Sequence, residues 1–279
     1  MVDIKKLRQD LKHKKEYFLN DATDFFIFNI VTILGVLVFY RQTQDEFAAT
    51  LILFVLWMFF WKESDLLGKV FLVSASILGY AHELIGVQAG YFTYLGGFFG
   101  GVPLWILPGY GVMFWASYHF WSVFEKKYAV ALGKGTIRGI IKRIYANASV
   151  SMVILTAAIF ALDIVFFDFM QTPFIISLEF ILVVLLWRSL KDARVAYFVA
   201  FFTVFDEFAG EALGVWSHPV FSLVSLATAY MFSLWMSMTI TDILHKKKVW
   251  MAREVLGAAG VLVIFAINTY LRISGAGGF

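Results

Sequence analysis

Two carboxylates set in strongly apolar sequence, Glu83 and Glu207, are the residues of this chain best placed to do chemistry. Each has a second titratable neighbour, His82 before Glu83 and Asp206 before Glu207. Each is followed at the same offsets by two glycines and an aromatic residue: Gly86, Gly90 and Phe92 in the first case, Gly210, Gly214 and Trp216 in the second. Two carboxylates facing each other away from water repel, and the pair then retains a proton at neutral pH. That is an acid able to protonate a substrate. The plainer reading is that both glutamates cap loops or bond to neighbouring helix ends, and the sequence leaves the two readings open.

Other polar groups gather near the same predicted depth: Asp163, Asp168, Glu211 and His218. His82, His218 and the acids have the composition of a metal site, but no HExxH-type spacing accompanies them, and no metal is expected. Neither a dinucleotide-binding glycine fingerprint nor a phosphate loop is present, so no cofactor is expected. Tyr91, Phe92, Tyr94 and Trp216 form either an interfacial aromatic belt or the wall of a lipid-accessible cavity that would steady a cation.

These residues need elements to hold them, and composition says which kind. The chain of 279 residues is 61% hydrophobic and 15% charged, with mean hydropathy +0.78. Soluble domains are about 45–50% apolar and about 25% charged. The excess cannot be hidden in one water-soluble core, so an all-α polytopic membrane protein is expected. Cysteine is absent, which excludes disulfide, thiolate-metal and Cys-nucleophile chemistry. Continuous apolar runs without strand-like alternation favour helices over a barrel.

Nine apolar stretches are predicted as spans: 24–40, 47–61, 67–83, 103–122, 149–166, 173–189, 195–210, 219–241 and 251–271. With the N-terminus cytoplasmic, all but Arg41 and Arg272 of the 23 lysines and arginines fall on inner segments, as the positive-inside rule asks. The expected protein is therefore a multi-pass cell-membrane protein, N-terminus inside and C-terminus outside. The basic segments set topology and touch anionic lipid rather than nucleic acid. The first 20 residues, with Lys5, Lys6, Arg8, Lys12, Lys14 and Lys15, lack the apolar core of a signal peptide.

The matched offsets around Glu83 and Glu207 extend further. Trp61, Lys62 and Asp65 echo Trp187, Arg188 and Asp192, while Tyr110 and Trp115 echo Tyr230 and Trp235. The predicted organisation is a basic N-terminal segment (1–23), a four-helix repeat (24–122), a basic linker (123–148) and a second, parallel four-helix repeat (149–241). A basic loop and ninth helix follow (242–279).

At these residues the chain resembles a known family. Tyr80-x-x-Glu83-x-x-Gly86-Val87-x-x-Gly90-x-Phe92-x-Tyr94, followed by Gly101-Val102-Pro103-Leu104, is similar to the signature of the carotenoid-biosynthesis membrane proteins. That family includes bisanhydrobacterioruberin hydratase and related carotenoid hydratases. Asp206, Ala209, Leu213-Gly214 and Trp216 resemble its second acidic motif, although Glu207 stands where a proline often follows the aspartate. The resemblance covers roughly 67–241 and implies cofactor-free hydration of a terminal isoprenoid double bond. Such a reaction needs an acid, aromatic walls for a tertiary carbocation, and a carboxylate to hold water. It implies Glu83 as acid, Asp206 or Glu207 as the water-orienting base, and Tyr80, Tyr91, Phe92, Tyr94, Trp216 and His218 against the hydrophobic isoprenoid substrate. Two other classes stay in view: a transporter or channel using Glu179, Asn29, Ser74 and Ser76, and a non-catalytic lipid-binding scaffold.

Overall fold

A computed structural model describes residues 4–131, 148–166 and 190–246, together with positions 181, 183, 263, 266, 267 and 270. Among the described residues there are seven helices: α1 (Ile4–Thr43), α2 (Glu46–Glu63), α3 (Leu66–Gln88), α4 (Ile106–Ala131), α5 (Ala148–Phe166), α6 (Leu190–Ala212) and α7 (Leu223–Lys246). Two short strands, β1 (Thr93–Tyr94) and β2 (Trp216–Ser217), complete the set.

The all-α expectation holds, but the nine-span architecture does not. Three helical segments are long and apolar enough to cross a membrane: Thr23–Thr43, Leu66–Gln88 and Leu223–Thr241, of 21, 23 and 19 residues. At 1.5 Å per residue these match a hydrocarbon core about 30 Å thick, the mark of a membrane protein. Two of the other predicted spans, 47–61 and 195–210, lose apolar length to charge at or beside their ends. Glu46, Lys62 and Glu63 bracket α2, and Asp206, Glu207 and Glu211 occupy the last turns of α6. In α5 the apolar helical stretch is only Thr156–Phe166, shorter than a span. The predicted spans at 173–189 and 251–271 lie largely outside the described residues, as do Asp168 and Glu179. Two four-helix repeats plus a ninth helix are therefore replaced by seven described helices with three candidate spans.

Capping residues set where the helices begin. The Asp45 carboxylate accepts from the Ala48 amide at 2.9 Å to open α2, and Asp65 accepts from Gly68 at 2.8 Å to open α3. A third aspartate acts from a different helix. Asp163, fully buried on α5, accepts from the Ser222 hydroxyl at 2.8 Å and from the Leu223 and Val224 amides at 2.8 and 3.0 Å. It thereby satisfies the otherwise orphaned first turn of α7. Glu46 plays a related part for the approach to α4, accepting from the Phe98 and Leu104 amides at 3.1 and 2.5 Å.

The centre of the bundle is made by α3 against α4 and α7, with α6 packed on α7 and α4. Helices α1 and α2 cover α4, and α5 lies along α6 and α7. One close approach sets the α3–α4 spacing: a Cβ on Gly79 would stand 2.1 Å from the Tyr110 ring, so only glycine lets that ring lie against α3. This contact brings the Tyr110 hydroxyl within reach of a residue one helical turn further along.

Candidate functional site: two tyrosine-bonded glutamates

The turns that end α3 and α6 are built alike. After α3, the Ala89 and Tyr91 amides donate to the Ile85 and Gly86 carbonyls at 2.9 and 3.0 Å, with Gly90 at φ +73. After α6, the Leu213 and Val215 amides donate to Ala209 and Gly210 at 3.0 and 2.9 Å, with Gly214 at φ +66. Both glycines take the left-handed conformation that closes a helix. The glycines one turn earlier serve a different need. A Cβ on Gly86 would meet the Phe92 ring at 2.5 Å, and one on Gly210 the Trp216 indole at 2.0 Å. Each ring therefore folds back onto its own helix.

From these turns the chain runs into β1 and β2, which pair antiparallel as Thr93 with Ser217 and Tyr94 with Trp216. The Leu95 amide adds a bond to the Val215 carbonyl at 2.7 Å. This small ribbon joins the ends of α3 and α6 and collects rings. Tyr94 lies 5.7 Å from Trp216 and 6.5 Å from Trp105 between centroids, and Phe92 lies 5.8 Å from Tyr94 and 5.3 Å from His218.

Glu83 sits beneath the ribbon, 2% exposed. Its Oε2 accepts from the Tyr94 hydroxyl at 2.6 Å, and its Oε1 accepts from the Tyr110 hydroxyl on α4. Both carboxyl oxygens of Glu83 thus have a phenol partner. His82 Nδ1 stands 3.8 Å from Oε1.

Glu207 is arranged differently. Its Oε1 accepts from the Tyr230 hydroxyl on α7, while Oε2 has no phenol and faces His218 Nε2 at 3.8 Å. The Trp216 indole N–H donates to its backbone carbonyl at 3.1 Å. The two glutamates lie within electrostatic reach of one another. Between them, the Tyr110 and Tyr230 rings are 6.0 Å apart. Burial, then the charges of Glu83 and Glu207, push the Tyr94 phenol well above its ordinary 10.0, so this group stays a hydrogen-bond donor.

Of the sequence-predicted catalytic residues, the structure brings Glu83 and Glu207 together. Asp206 is a half-buried neighbour and makes none of the hydrogen bonds among the described residues, because successive helical residues point about 100° apart. Phe92, Tyr94, Trp216 and His218 converge at the ribbon, and Tyr91 is half-buried at the turn before it. Tyr80 points to the loop ahead of α4, donating to the Val102 carbonyl at 3.3 Å. Asp163 belongs to the α7 cap, and His119 stacks on Trp115 at 4.7 Å, away from the glutamates' hydrogen-bond partners.

Sequence reasoning missed Tyr110 and Tyr230 as site residues, although both had registered as matched positions in the two halves. It grouped Glu211 with His218 among the outer polar residues but did not pair them, and Glu211 holds His218. Among the described residues no three His, Asp or Glu side chains are grouped to hold a metal ion. What remains is a pair of carboxylates, Glu83 buried and Glu207 partly so, with unequal partners: one with a phenol on each oxygen, the other with an oxygen facing an imidazole. Comparison with models of protein families, with curated proteins and with solved structures finds no match for this chain.

Proposed function

We propose that this protein is a membrane-embedded enzyme that hydrates a terminal double bond of a polyisoprenoid, carotenoid-like lipid without a cofactor. The observation that carries this reading is the unequal pair Glu83 and Glu207 under a ribbon of aromatic rings. Protonating an alkene takes an acid, and the resulting tertiary cation takes nearby negative charge and ring faces. In this reading Glu207 is the acid: its Oε2–H bond breaks as a C–H bond forms on the substrate. Water then attacks the cation and gives its proton to Glu83, whose two phenol bonds suit it to the ionised role. These roles are the reverse of those implied by the sequence resemblance, in which Glu83 was the donor. Tyr94, Trp105 and Trp216 supply the cation-facing rings.

The same reading makes α3–β1–α4 and α6–β2–α7 two copies of one helix–strand–helix unit, related by an axis through the Thr93–Ser217 pair. The matched turns and the matched Tyr110 and Tyr230 support it. The basic N-terminal segment supports a cytoplasmic side for that end of the chain. Membrane lipids surround the bundle, and the substrate would come from among them.

The test is expression in a host that accumulates a linear carotenoid with unsubstituted ends. The expected result is a more polar, hydroxylated pigment with wild-type protein and none with Glu207→Gln or Glu83→Gln at equal protein levels. Inserted, folded wild-type protein that leaves every linear carotenoid unaltered overturns the reading.

A further inference from the structure

Counting from each glutamate, Tyr94 and His218 stand at the same offset, eleven residues on. In the first unit that position gives a phenol bonded to Glu83. In the second it gives an imidazole, and the imidazole is itself held. His218 Nδ1 lies 2.5 Å from Glu211 Oε2, and the His218 amide reaches both Glu211 oxygens at 3.2 and 3.3 Å. One carboxylate thus clamps both the backbone and the ring of His218, and the other ring nitrogen is aimed at Glu207 Oε2, 3.8 Å away. Exposure differs within this row: the side chains of Glu211, His218 and Glu207 are 29%, 5% and 13% exposed. Glu211 meets water while the imidazole and Glu207 are largely enclosed.

We propose that Glu211 and His218 carry protons between water and Glu207. A carboxyl proton taken up by Glu211 passes to Nδ1, breaking an O–H bond and forming an N–H bond. The Nε2 proton passes to Glu207 Oε2, breaking that N–H bond and forming the carboxyl O–H. The ring is imidazolium only between the two transfers and is left as the Nδ1–H tautomer. It resets by returning the Nδ1 proton to Glu211 and taking a proton at Nε2 from a bridging water, so that each round carries a proton from water to Glu207. The 3.8 Å separation exceeds a hydrogen bond, so the second transfer takes a small ring rotation or one bridging water. Glu211 positions the ring as a carboxylate orients a catalytic histidine, and, unlike that carboxylate, it also takes up the proton at the wet end. The other charged or titratable groups around the row are Asp206 on α6, Glu83 on α3, Tyr110 and Tyr230 on α4 and α7, and Tyr94 on β1. Arg41 of α1 lies beside Gly214, 3.6 Å from the position of a Cβ there.

The inference rests on Glu207 as the proton donor of the proposed reaction, but its test reads proton exchange rather than product. The full-length protein in lipid nanodiscs is transferred to D2O, and the C=O stretch of the protonated Glu207 side chain is followed by infrared difference spectroscopy. The band is assigned by its loss in Glu207→Gln. In wild-type protein between about pH 5 and 8, the band shifts rapidly. In His218→Gln, and separately in Glu211→Gln, the shift slows about tenfold or more, the scale of a lost acid–base partner. His82→Gln, at the Glu83 side, leaves it unchanged. Unchanged exchange in both His218→Gln and Glu211→Gln overturns the proposal, as does equal slowing in His82→Gln. So does the absence of a protonated Glu207 band throughout that range. Slowed exchange with no hydroxylated pigment would keep the proton path and discard the hydratase reading.

Discussion

Tyr110 and Tyr230 stand ring beside ring, 6.0 Å between centroids, each donating its hydroxyl to a different glutamate. Neither glutamate lies on the same helix as its tyrosine. Glu83 of α3 is bonded across to α4, and Glu207 of α6 across to α7. The carboxylates therefore tie the central helices together as well as offering a site, and stability and chemistry there will be affected by the same substitutions.

Tyr110→Phe removes a bond between a phenol and a buried carboxylate, and should destabilise the protein by about 1.5–3 kcal/mol. Tyr94→Phe should cost less, because Tyr94 lies on the half-buried ribbon and Glu83 keeps its partner on α4. Thermal unfolding in detergent checks the order, and a larger loss for Tyr94→Phe would reverse the assignment of the main tie.

Asp163→Ala should unfold more easily than Asp45→Ala or Asp65→Ala. The latter two each lose one exposed cap bond, about 1 kcal/mol. Asp163→Ala strands two backbone amides and a hydroxyl in the interior, about 1–3 kcal/mol for each unsatisfied group. The same unfolding measurement ranks all three.

The two kinds of turn glycine should separate on substitution. Gly214→Ala meets only backbone strain at φ +66, roughly 1 kcal/mol. Gly210→Ala places a Cβ 2.0 Å from the Trp216 indole and must displace it, a larger loss of about 3 kcal/mol by overpacking. Phe98→Leu, at a side chain 87% exposed, should be near neutral. Retention of folded protein after a heat challenge reads out the series.

Alkaline pH should weaken the fold through Tyr94. Its phenol is raised in the folded state above the ordinary 10.0. Above that value the unfolded chain releases a proton that the folded chain keeps. Stability present below about pH 10 is then lost as pH rises toward the folded value. Tyr94→Phe should flatten this decline between about pH 9 and 11, measured by chemical unfolding at each pH. A slope identical to wild type would remove Tyr94 from the account.

Asp206→Asn should retain hydroxylated product within about threefold of wild type, whereas Glu207→Gln should lose about a hundredfold or more, the contribution of a positioned acid. Pigment yield at matched protein levels decides it. Loss of product in Asp206→Asn would return the second acidic role to Asp206, one of the two residues the resemblance offers for it.

Helical membrane character was legible without coordinates, because 61% hydrophobic residues cannot be enclosed in a water-soluble core of this length. So were the two turns: glycine at the third and seventh positions after each glutamate is a local requirement, written into neighbouring residues. The pairing of Glu83 with Glu207 was a choice between capping and chemistry, and long-range contacts decided which oxygens have partners. Tyr110 lies 27 residues beyond Glu83, and Tyr230 lies 23 beyond Glu207. No local pattern places those hydroxyls, because helix packing through Gly79 and the antiparallel ribbon brings them in. The span count was over-read for the opposite reason: hydropathy sums composition along the chain, while charged residues at the ends of α2 and α6 shorten the apolar length of a helix. Asp163 shows the remaining limit. Its sequence neighbours are apolar and suggest a costly buried charge, and only the fold reveals the start of α7 lying against it, with its amide donors already turned toward the carboxylate.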